Sequence, residues 1–161
     1  RSSDLGTPLA VLGATTMLTG DTQRPPEVYL TYTRTNPING LVYSGRTSGR
    51  ADEPIQTILS RRASGQPLLN SEGFNPPQLD QMSYNSGAIR GREQQLIDYN
   101  GGAKSVGGTA RNAINGVSDW NINRPAYINQ SINEFGPLPD NSPSRPRIGM
   151  ELIDYLRRSL P

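Results

Sequence analysis

The 161-residue chain contains no cysteine and no histidine. The first absence excludes disulfide frameworks, thiolate metal sites and thiol nucleophiles. The second removes Ser-His-Asp and Cys-His arrangements and any zinc site built on imidazole. A catalyst made from this chain must work with tyrosine, carboxylates, arginine, Lys104 or a metal held by oxygen ligands. Long apolar runs are missing as well. The stretch "PLAVLGATTML" at 8–18 falls short of the ~18 apolar residues of a membrane span, and it lacks the basic leader and small-residue cleavage site of a signal peptide. It reads as a linker or docking segment of a longer polypeptide.

Charge of one sign is also scarce. Sixteen Lys and Arg against fourteen Asp and Glu leave +2, too little to argue for nucleic acid by net charge. Lys104 is the only lysine, so the remaining cations are arginines, whose planar fork can hold phosphate through two hydrogen bonds. An arginine-rich composition alone would give the same bias. Hydrophobic residues make up only 33% of the chain, with 17 Gly and 14 Pro, so the core is expected to be modest and the loops long.

Within those limits the pattern predicts an α+β fold: a small antiparallel sheet built on a hairpin at about 28–47, flanked by helices, with irregular N- and C-terminal extensions. "EVYLTYTR" and "LVYSGRT" are rich in Val, Tyr and Thr and flank "TNPING", where Pro37 presets a turn and Asn39-Gly40 accepts positive φ. "DEPIQTILSRRA" (52–63) places Ile55, Ile58, Leu59 and Arg62 at helical spacing, with Asp52 as a cap and Pro54 in the first turn. A long loop, with room for a short strand, leads to a second helix in "IRGREQQLIDYNGG" (89–102). Short helices are expected in "GTARNAINGV" and "NRPAYINQSINEFG", and an amphipathic one in "GMELIDYLRRSL". The broken "FGPLPDNSPSRPR" is expected to run over the surface. The expected organisation is an extension at 1–26, a domain at 27–135, and a Pro-rich tail with a terminal helix at 136–161.

Two tyrosines, Tyr32 and Tyr43, flank the hairpin turn, where such residues can lie on neighbouring positions of one face. On periodicity alone they fill a half-buried sheet face, as aromatic residues do well. The stretch "LTYTRTNPINGLVYSG" nevertheless resembles the GIY-YIG endonuclease superfamily, whose motif sets two tyrosines about ten residues apart over a hairpin. Tyr32 matches the first, and Tyr43, Ser44 and Gly45 match the second motif, while Leu30 and Thr31 stand where the name-giving Gly and Ile would be. The pattern continues with a helix arginine, which "ILSRR" supplies as Arg61 or Arg62, a later helix glutamate at Glu93, and an asparagine at Asn112 or Asn115. The His or Tyr that many members carry after the arginine has no counterpart in "RRASGQ". "GRTSG" and "RGREQQLID" are most similar to nuclease domains at the C-terminal tips of bacterial polymorphic toxins.

The resemblance implies a Mg²⁺-dependent (or Mn²⁺-dependent) endonuclease acting on DNA, with Tyr32, Tyr43, Arg61, Glu93 and Asn112 as site residues. It further implies a secreted effector working in the target cell cytoplasm, with a cognate immunity protein and a larger carrier polypeptide as partners. The chemistry is compatible with a His-free site. Glu93 could hold the metal, Arg61 grip the phosphate and Asn112 position a neighbour, while Tyr43, or the Tyr43 and Tyr32 pair, takes a proton from water beside a cation. Each residue also has a plainer reading: Glu93 as a solvated helix residue, the arginines as an exposed face, the hairpin as a non-catalytic binding or interaction module. The glycine pairs of "GGAKSVGGTA" fail the P-loop pattern because no Gly-Lys-Ser/Thr ending follows. The single Trp120 is expected to anchor the core rather than to stack on a base.

Overall fold

The computed structural model of the chain describes residues 23–143. Three antiparallel strands, β1 (Glu27–Thr35), β2 (Val42–Arg50) and β3 (Gln78–Ser83), form a sheet in the order β2-β1-β3. The helices are α1 (Ile55–Ser64), the single turn α2 (Pro67–Ser71), α3 (Ser86–Tyr99) and α4 (Arg124–Phe135), with a 3₁₀ turn at Lys104–Val106. The fold is α+β. Among the described residues no helix is long and apolar enough to cross a membrane. The N-terminal segment to residue 22 and the expected helix in "GMELIDYLRRSL" lie outside the described residues.

The hairpin follows from its turn. Asn36 Oδ1 accepts from the Ile38 N–H at 2.9 Å, its carbonyl accepts from the Gly40 N–H, and Gly40 sits at φ 72, a conformation glycine adopts without cost. Because β1 is central, both of its faces are covered. Val28, Leu30 and Tyr32 pack against Ile58 and Leu59 of α1, with Ile55 and Tyr43 at the margin. Thr31, pointing the other way, donates to Asp80 of β3 at 2.8 Å, and Arg92 of α3 binds the same carboxylate at 2.9 and 3.1 Å. The sheet is therefore sandwiched, α1 on one face and α3 on the other, with α4 packed behind α3.

Several expectations are corrected. Asp52 does not cap α1: it pairs with Arg50, and Pro54 occupies the cap position without a side-chain bond. The segment 109–117 is not helical, because its backbone is committed elsewhere. Arg111 N donates to Val42 O, and the carbonyls of Asn112 and Ala113 accept from Lys104 and Ser105. Trp120 is 79% exposed and anchors no core. The start of the Pro-rich tail does lie at the surface, half-buried to exposed, and Asn141 ties it there by donating to the carbonyls of Asp98 and Tyr99 at 3.1 and 2.8 Å.

Candidate active site

Tyr32 pairs with Gly45 across the hairpin and Arg34 with Tyr43, so the two tyrosines are diagonal neighbours on the α1 face. Their ring centroids lie 6.3 Å apart, tilted by 40°. Gly45 is what admits this arrangement: a Cβ there would sit 2.5 Å from Tyr32 Oη and 3.0 Å from a ring carbon of Tyr43. The Tyr32 oxygen accepts from Arg62 Nε at 3.0 Å and from Gln66 Nε2 at 2.9 Å. Gln66 is itself fixed by Arg34, whose guanidinium also binds Asn70 and the carbonyls of Phe74 and Asn75.

This environment decides what Tyr32 can do. Burial pushes its pKa up to about 12, Tyr43 adds to the rise, and the hydrogen bonds from Arg62 and Gln66 only partly offset it. With its oxygen doubly occupied and its proton tightly held, Tyr32 is poorly suited to take a proton from water; it holds Arg62 in place. Tyr43 is half-buried and also interacts with Arg62.

Arg61 is turned away from the tyrosines. One helix position rotates a side chain by about 100°, and Arg61 pairs with Glu53 at 2.7 Å. Of the two candidate arginines it is Arg62, and not Arg61, that lies beside Tyr32. Asn112, rather than Asn115, reaches β2: its Oδ1 accepts from the Ser44 N–H at 2.9 Å and its Nδ2 donates to the Ser44 carbonyl at 2.8 Å. The amide acts as one rung of an additional strand along the edge of β2. Asn115 instead accepts from Gln94 at 3.3 Å.

Glu93 lies on the α3 face, largely buried, with Arg46 bound to its Oε2. Arg46 follows Gly45 directly and so projects to the face opposite the tyrosines. β2 is an edge strand, and Arg62, bonded to Tyr32, is close enough to influence the Glu93 carboxyl. Burial pushes that carboxyl's pKa up, opposed by Arg46, Arg62 and Arg90. Sequence reasoning missed Arg46 and Gln66. Arg46 was visible as the cation ending "YSGR", whereas nothing in the loop sequence marks Gln66.

Among the described residues no group of three or more acidic side chains could enclose a metal. A hard divalent cation that keeps most of its waters needs only one or two carboxylates. Glu93 fits that role, because Arg46 occupies Oε2 and leaves Oε1 for a ligand. No protein-family model, curated protein or solved structure matches this chain.

Proposed function

We propose that the chain is a metal-dependent endonuclease that hydrolyses DNA phosphodiester bonds, and that it serves as the toxin domain of a secreted antibacterial effector. The observation that supports the hydrolytic reading is the position of Arg62, which binds Tyr32, interacts with Tyr43 and acts electrostatically on Glu93. The effector setting, with its immunity partner and carrier polypeptide, is supported by the likeness of the hairpin and Glu93 helix to toxin-tip nucleases.

In this reading Arg62 binds the scissile phosphate and offsets the charge that builds on its oxygens. Tyr32 and Gln66 keep Arg62 oriented. Tyr43, as its phenolate, accepts the proton of the attacking water and becomes the neutral phenol, with the Arg62 guanidinium beside it. Asn112 fixes β2, and with it Tyr43, against the loop that follows α3. Glu93 would supply a carboxylate oxygen to Mg²⁺ or Mn²⁺, and the cation would polarise the phosphodiester and neutralise the leaving oxygen.

Incubation of supercoiled plasmid with the purified protein tests this, with Mg²⁺, with chelator, and beside a Glu93→Ala variant. Nicking or degradation that needs the metal and vanishes in the variant is the expected result. Intact plasmid in every condition, with protein shown to be folded, refutes it and favours a non-catalytic binding module.

A further inference from the structure

We propose that Arg46 is a charge-exchange residue that holds Glu93 in the free protein and leaves it for a phosphate oxygen of the incoming strand, so that the anionic substrate binds before the divalent cation. The inference rests on the nuclease reading above. Arg46 is bonded through one guanidinium nitrogen to Glu93 Oε2 and reaches the Gly116 carbonyl at 3.3 Å. Its side chain is 34% exposed, against 12% for Glu93, so the arginine is the partner within reach of an arriving ligand. The carboxylate is confined, because a Cβ on Gly116 would lie 2.6 Å from its Oε2. Of the two groups, the arginine is the one free to swing.

Charge sets the order of events. Three guanidiniums, Arg46, Arg62 and Arg90, act on the Glu93 carboxyl, and Arg90 lies over the Tyr127 ring at 5.2 Å. Glu93 is the carboxylate these three arginines share. Without substrate the locality is cationic, which draws in phosphate and repels a divalent cation. A phosphodiester brings the missing negative charge and a better bidentate partner for the Arg46 fork. Once Arg46 has moved onto it, Oε2 is open beside Oε1 and the positive charge nearest the carboxylate is gone, so Glu93 becomes the stronger metal ligand. Substrate and metal then raise each other's affinity by the same factor.

Two binding measurements on the full chain test the exchange without reference to cleavage. Mn²⁺ is titrated into protein free of nucleic acid, and a fluorescent DNA oligonucleotide is titrated in excess chelator, for wild type, Arg46→Ala and Arg46→Lys. Arg46→Ala is expected to bind Mn²⁺ roughly 5-fold or more tightly than wild type. The same variant should bind the oligonucleotide more weakly, with a salt slope lower by about one. Arg46→Lys should fall between the two in both assays. A variant that merely loses structure weakens both, and that result, or unchanged Mn²⁺ affinity in a folded Arg46→Ala protein, overturns the proposal. Opposite shifts in a protein that leaves plasmid intact would uphold the exchange and refute the nuclease.

Discussion

Replacing Asn112 with aspartate exchanges one NH₂ for an oxygen and keeps the volume, which separates hydrogen bonding from packing at the edge of β2. Asn112 is 6% exposed and Ser44 0%, and the amide both accepts from the Ser44 N–H at 2.9 Å and donates to its carbonyl at 2.8 Å. Aspartate keeps the first bond and sets a carboxylate oxygen against the second carbonyl. An orphaned buried acceptor costs about 1–3 kcal/mol, and a buried charge adds to it, so Asn112→Asp should lose about 2–4 kcal/mol at neutral pH. Asn112→Ala, which orphans both Ser44 groups, should lose a similar amount. The proton linkage gives an independent signature. A carboxyl in this place has its pKa raised by burial and the facing carbonyl, so the folded state binds more protons than the unfolded state. The stability deficit must then shrink as pH falls, because the protonated acid can donate to Ser44. Urea denaturation across pH, with midpoint and slope compared, reads this directly. An aspartate variant within about 0.5 kcal/mol of wild type, or a deficit independent of pH, would refute the two-bond clamp.

Other consequences follow from the same geometry. Gly45→Ala drives a methyl group to 2.5 Å from Tyr32 Oη and 2.6 Å from its Cζ. Overpacking and displaced hydrogen bonds should then cost about 2–4 kcal/mol by chemical denaturation. Tyr32 holds its proton up to about 12, chiefly through burial, whereas an unfolded tyrosine ionises near 10. The folded state therefore binds the extra proton between those values, stability falls as pH rises through that window, and Tyr32→Phe should flatten the fall. At the acid end, the hydrogen bond from Arg61 lowers the Glu53 pKa to about 2 from an ordinary 4.5. The stability that this carboxylate contributes is present above 4.5 and lost as pH falls towards about 2, a slope that Arg61→Ala should reduce in acid denaturation while the Arg50 N–H bond to Glu53 keeps the rest.

The hairpin was legible because turn chemistry and β-branched residues agree locally: Asn39-Gly40 between two Val/Tyr/Thr runs leaves few alternatives. Helices α3 and α4 were legible from their periodicity and glycine stops. β3 was seen only as room for a strand within a loop, because "QLDQMS" is polar and half-exposed and owes its conformation to pairing with β1. The choice between Arg61 and Arg62 depends on a tertiary contact, the Tyr32 hydroxyl, which adjacent helix positions cannot reveal. Residues 109–117 carry helix-compatible spacing, yet their backbone groups bond to β2 and to the 3₁₀ turn, and those long-range bonds override local propensity. The burial of Glu93 likewise comes from α3 lying between the sheet and α4, which no single-helix pattern discloses.

The most direct test of phosphodiester cleavage at this edge is the rate of plasmid cleavage by Arg62→Ala beside Arg61→Ala, both measured with Mg²⁺ on protein shown to be folded. Loss of a positioned donor to the reacting phosphate is expected to lower the Arg62→Ala rate by about 10²–10³-fold, with Arg61→Ala close to wild type. Equal losses, or the greater loss in Arg61→Ala, would contradict a site organised around Arg62.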